Sequence, residues 1–115
     1  MFGLFKKKVD LKKVNTFCDW FISKNEEIIE SVNNSEKDHM RMMILLDEVE
    51  AQLKLVYNDH YNGRVEFEYG FDERINKWEL RLFHLNNKCL ISATSEIAKV
   101  LNEKLGDTWV INIDK

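Results

Sequence analysis

The chain has no proline, only four glycines among its 115 residues and only two cysteines. Each shortage removes a class of explanation. Without proline there is no Pro-rich linker, and no low-complexity tract or internal repeat occurs. The few glycines leave little scope for a phosphate cradle, and Gly-x-Gly-x-x-Gly, Walker-type and Gly-x-Ser-x-Gly patterns are all missing. Cys18 and Cys89 stand far apart with no Cys-x-x-Cys spacing, so they read as small buried hydrophobes; a single bridge between them stays open. No apolar run approaches the roughly 18 residues that a bilayer span requires. At the N-terminus Phe2, Leu4 and Phe5 precede Lys6, Lys7 and Lys8, the reverse of the order in a secretory signal, and Gly3 misses the myristoylation position. The expectation is a cytoplasmic protein.

What is present suits one ordinary domain. Hydrophobic residues make up 44% and charged residues 32%, with seven Phe, three Trp and three Tyr to build a core. The net charge of −3 is uneven: residues 1–13 carry +4, residues 14–63 carry −6 and residues 64–115 carry −1. An acidic body behind a short basic tail lacks the basic stripe that phosphate contacts need, so no nucleic-acid partner is expected. The tail, residues 1–9, has one weak apolar cluster with three lysines. Membrane contact through Phe2, Leu4, Phe5 and Lys6 would be marginal, and a frayed or docked terminus is expected instead.

Residues 10–115 are read as a single α+β domain. Asp10 is a candidate N-cap, followed at helical spacing by Leu11, Val14, Cys18, Phe21, Ile22, Ile28, Ile29 and Val32. Asn33, Asn34 and Ser35 interrupt the pattern, and Ser35 with Asp38 resembles a second helix start. Met42, Leu46, Val49, Leu53 and Val56 form the next stripe, widened by Ile44, Leu45 and Tyr57. Asn62-Gly63 offers positive-φ turn residues. The period then falls to two: Val65, Phe67 and Tyr69 alternate with Glu66 and Glu68, and Trp78, Leu80 and Leu82 alternate with Glu79, Arg81 and Phe83. Residues 70–76 read as a charged connection, and residues 88–91 as a short additional strand. Oxygens at 92–95 offer caps for a helix carrying Ile97, Ala98, Leu101 and Leu105, with Gly106 at its end. Trp109, Ile111 and Ile113 mark a final strand. The predicted fold is a two-layer α+β sandwich in the order α-α-β-β-(β)-α-β, with a mainly antiparallel sheet, helices on one face, and the last helix as a crossover.

Chemistry-bearing residues are sparse. Glu36 and His39 have Glu-x-x-His spacing, but di-metal bundles need two such motifs and two further glutamates, and a solvated first turn explains one. His60 beside Asp59 cannot complete a metal shell, and His84 ends a strand. No catalytic residue, metal ligand or cofactor is predicted. Two surfaces remain. Glu26 and Glu30 lie on one helix face at i,i+4, and Glu66, Glu68, Glu79, Arg81 and Phe83 line the wet side of the sheet. Phe83 is either a recognition aromatic or a side chain buried by a bulge near Asn86.

Four stretches, Trp20-Phe21 with Asn25-Glu26-Glu27, Leu46-Asp47-Glu48-Val49, Val65 through Gly70, and Trp109-Val110-Ile111, resemble a family of small bacterial proteins of unknown function. That resemblance implies two helices before a β-rich half ending in a Trp-containing strand, and implies no activity. The expected role is a non-enzymatic protein-interaction module of regulatory or immunity type. The alternative is a small-ligand binder with a cleft between helices and sheet lined by Trp20, Tyr57, Trp78 or Trp109. A homodimer also stays open, because an unprotected terminal strand invites pairing.

Overall fold

The computed structural model describes residues 9–58 and 61–115. Residues 1–8 of the N-terminal tail, with Asp59 and His60, therefore lie outside the described residues. The order is α1 (Leu11–Asn33), α2 (His39–Tyr57), β1 (Glu66–Asp72), β2 (Lys77–Phe83), α3 (Lys88–Leu105) and β3 (Trp109–Asp114). The sheet runs β1-β2-β3, antiparallel between β1 and β2 and parallel between β2 and β3. This is the expected α+β fold, with the last helix as the crossover that a parallel pair requires.

Local chemistry explains each start. The Asp10 carboxylate accepts from Lys12 N at 2.9 Å and caps α1. Asp38, not Ser35, caps α2, accepting from Arg41 N at 3.1 Å. Gly63 is not at positive φ; a Cβ there would collide with the Tyr61 ring, whose hydroxyl donates to Arg64 O at 2.6 Å. Gly106 likewise has a right-handed φ, and Lys77 Nζ holds its carbonyl at 2.6 Å.

Two expectations are corrected. Residues 88–91 are the first turn of α3, not a strand, because Leu85 and Asn86 reverse the chain at φ 54° and 59°. Asn87 then caps the helix by accepting from Cys89 N and Leu90 N. The hydroxyls of Thr94 and Ser95, expected as caps, bond back to the Leu90 and Ile91 carbonyls inside the helix. Residues 70–72 are strand, not connection. β1 continues through Gly70 to Asp72, which pairs with Lys77 across a turn closed by Asn76 at φ 55°. Asp72 Oδ1 accepts from Arg74 N at 3.0 Å and sets that turn.

The helices occupy one face. α3 packs on β2 and β3, α1 packs on α2 and α3, and α1 reaches the sheet at Trp109. Val14, Phe17, Cys18, Phe21 and Ile28 of α1 meet Leu90, Ile97 and Leu101 of α3 and Leu80, Leu82 and Trp109 of the sheet in one core. α2 buries Leu45, Val49, Leu53, Val56 and Tyr57. Ile44, expected inward, is 51% exposed, since a residue one step from Leu45 turns about 100° round the helix.

α3 also finishes the sheet's far side. Asn102 Nδ2 donates to Ile111 O at 3.1 Å, and its Oδ1 accepts from Ile111 N at 2.8 Å. Asn102→Ala is expected to destabilise the fold by about 1–3 kcal/mol in urea denaturation. The Ile111 amide should exchange with solvent faster, while its core neighbours hold. An unchanged Ile111 exchange rate would show that this pair does not protect the strand.

Candidate functional site

The face of the sheet away from the helices carries no packed element among the described residues. Period-two alternation puts Glu66, Glu68, Gly70 and Asp72 of β1 there, with Lys77, Glu79, Arg81 and Phe83 of β2 and Val110, Asn112 and Asp114 of β3. Five carboxylates share this face with Lys77 and Arg81, and at its ends Arg64 pairs with Glu66 at 3.2 Å and Arg74 with Asp72 at 3.0 Å.

Arg81, in the central strand, organises the face. Its Nη2 lies 3.0 Å from Glu79 Oε2, its Nη1 3.7 Å from Asp114 Oδ2 and its Nε 3.9 Å from Glu68 Oε1. Asn112 Nδ2 donates to Glu79 Oε2 at 2.7 Å. One guanidinium thus spans all three strands. The hydrogen bond from Arg81 to Glu79 and the surrounding negative charge raise the guanidinium's proton affinity, keeping it cationic. At the turn, Arg74 bonds both oxygens of Asp72 at 3.2 and 3.0 Å and holds that carboxyl below the usual carboxylate range.

Of the residues singled out in the sequence, Glu66, Glu68, Glu79, Arg81 and Phe83 come together on this face. Phe83 stands opposite Glu66 and Asp114 in continuous register, half-buried, with no bulge to turn it inward. Glu26 and Glu30 do not join them. They are exposed on α1, in the helical layer on the opposite side of the sheet. Missed in the sequence were Asp72, Asn112 and Asp114. Asp72 fell in a stretch read as connection, and the meeting of the other two with Glu79 and Arg81 needed the β2–β3 register.

Beside Gly70 the face dips into an open hollow of about 500 Å³, lined chiefly by Glu68, Gly70, Asp72, Arg74 and Glu79. A Cβ at Gly70 would meet nothing within 4 Å, so the bare glycine leaves the floor of the hollow low. The aromatics of the ligand-cleft reading go elsewhere. Trp109 is fully buried, Trp78 and Tyr57 are nearly so, and Trp109 packs edge-on to Phe21 at 5.1 Å. The Tyr57 and Tyr69 hydroxyls are buried without a hydrogen-bond partner among the described residues, and desolvation raises both, Tyr69 to about 12.

Among the described residues no group of three or more His, Cys, Asp or Glu is arranged to hold a metal ion, and no helix is long and apolar enough to cross a membrane. His84 Nδ1 accepts from Asn86 N at 3.0 Å, and His39 opens α2 in the open. Both thiols are free, with Cys18 buried and Cys89 half-buried. No family model, curated protein or solved structure matches the chain.

Gly70→Ala is expected to raise stability by about 0.4–1 kcal/mol, because the strand conformation suits alanine and the unfolded chain loses freedom. A urea midpoint that falls would show that the glycine is required by the backbone. Burial, with a smaller push from Asp19, lifts the Cys18 thiol from its ordinary 9.0 to about 12. At about pH 8 a thiol reagent should label Cys89 alone in the native protein and Cys18 only on unfolding. Because the unfolded chain gives up this proton first, Cys18 lowers native stability as pH rises from 9.0 toward 12. Rapid native labelling of both thiols would contradict the burial.

Proposed function

We propose that the chain is a non-enzymatic protein-interaction module that binds its partner through the open face of the sheet. One observation carries the reading. A solvent-facing sheet surface carries five carboxylates, three of them joined around Arg81, with the Phe83 ring at its end. Exposed ion pairs contribute little to stability, about 0–1 kcal/mol each, so the fold has small need of this arrangement. Charge arrays of one dominant sign favour an oppositely charged partner and raise its association rate. An arginine and an aromatic are the side chains that most often anchor such contacts. The regulatory or immunity-type role expected from the sequence belongs to the same reading.

Affinity capture from a native lysate of the source cells tests it. The wild-type chain should recover a protein that Glu26→Lys with Glu30→Lys, on α1, also recovers. Phe83→Ser or Glu68→Lys should reduce recovery to about a tenth, the effect of removing one strong contact. Equal recovery by the sheet-face variants, or no protein above background with any bait, would sink the proposal.

A further inference from the structure

The two edges of the sheet are finished differently. Trp78 N donates to Thr108 O and His84 N to Asp114 O, each at 2.9 Å. Even-numbered residues of β2 therefore turn their backbone polar groups toward β3, and odd-numbered ones toward β1. With the observed register, Glu66, Glu68, Gly70 and Asp72 use their backbone groups on β2. Phe67, Tyr69 and Phe71 point theirs away from the sheet. The same rule turns Ile111 outward on β3, and there the Asn102 amide grips both its N–H and its carbonyl, imitating a neighbouring strand. Among the described residues no such group meets the outer edge of β1.

We propose that a partner adds a strand to this edge, as an extended segment with Lys or Arg at alternate positions. The inference rests on the reading of the open face as the partner-binding surface, and it names how the partner attaches. Every second side chain of an added strand falls on the open face, beside Glu66, Glu68 and Asp72 and over the hollow at Gly70. Cations fit there. The intervening side chains fall beside Phe67, Tyr69 and Phe71, so apolar residues suit those positions. Charge also disfavours a second copy of this chain in the pairing that overlaps the strand most fully. Antiparallel self-pairing centred on Tyr69 sets Glu66 opposite the other copy's Asp72 at both ends, and like charges directly opposed destabilise a pair.

The test uses the full chain and a fluorescent, end-capped heptapeptide of alternating Lys and Val. Controls are the same residues in block order and a peptide with Glu in place of Lys. The alternating Lys peptide should bind with higher affinity than either control, lose affinity as salt rises, and slow amide exchange at Phe67, Tyr69 and Phe71. Phe71→Ala and Phe71→Pro both remove the ring that packs on Trp78 at 5.8 Å. Only proline also removes an outward N–H that the fold leaves unused, a change edge strands tolerate. Phe71→Pro should weaken binding about tenfold relative to Phe71→Ala, the scale of one lost hydrogen bond. Should the proline variant fail to fold, the wild-type exchange measurement decides alone.

Binding no tighter than the controls, or binding without protection of those three amides, overturns the strand addition. If captured partner is lost with Phe83→Ser but the edge amides stay unprotected, the face reading survives and the edge inference fails. If the amides are protected while captured partner ignores the face variants, the reverse holds.

Discussion

The buried indole of Trp109 is the joint on which the arrangement depends. Its ring is fully buried at the start of β3, 5.1 Å from Phe21 of α1 and 5.8 Å from Trp78 of β2. Its N–H donates to Asn25 Oδ1 at 3.2 Å, across a separation of 84 residues. A buried indole needs that acceptor, and Asn25 is a polar residue that α1 can present inward because the bond exists. The last strand, the central strand and the first helix are thereby held at one side chain. Contacts of such separation carry a high loop-closure cost, so this bond is among the most costly in chain entropy to close. Asn112 and Asp114 follow Trp109 on the same short strand, so the open face is complete only once this joint is made.

The open face obeys a different balance. Its ion pairs are solvated, and Arg81 meets three carboxylates at 3.0 to 3.9 Å while remaining one-third exposed. Water weakens each attraction, and the carboxylates that surround the cation repel one another. The gain is positional more than energetic. A guanidinium held from several sides keeps its plane, and Glu79, fixed also by Asn112, keeps its oxygens directed. Such a surface presents a defined pattern of charge to an arriving molecule and lowers the ordering cost on binding.

Periodicity made much of this legible. The α1 and α2 stripes, the alternation in β2 and β3, and the crossover role of α3 were all open to reading along the chain. So was the grouping of Glu66, Glu68, Glu79, Arg81 and Phe83, because the apolar members of each strand must face the helices, which leaves their alternating neighbours together on the other side. Other features depend on contacts that no local pattern encodes. Cys89 to Ile91 have strand-like composition, yet Asn87 caps two of their amides and tertiary burial of Leu90 draws them into α3. Gly70 looked like an interruption, but a glycine inside an antiparallel pair merely omits a side chain. The exposure of Ile44 reflects α2 packing chiefly on α1, so that one apolar flank of the helix has no packed neighbour among the described residues.

The unequal edges follow from topology. A parallel pair demands a long connection, and the helix that supplies it must return over the strand it serves. The final turns of α3 therefore lie beside β3, and Asn102, nine residues before Ile111, is well placed to occupy that strand's outer groups. β1 and β2 form a hairpin, which brings no such element to the outer side of β1. An edge left in this state calls for protection against self-association, and charged residues are a common means. The carboxylates of β1 serve that purpose against another copy of the chain, which would carry the same sign. Against a basic strand the same carboxylates become attractive. A device that keeps the protein from pairing with itself thus also defines the chemistry of the strand that can pair with it.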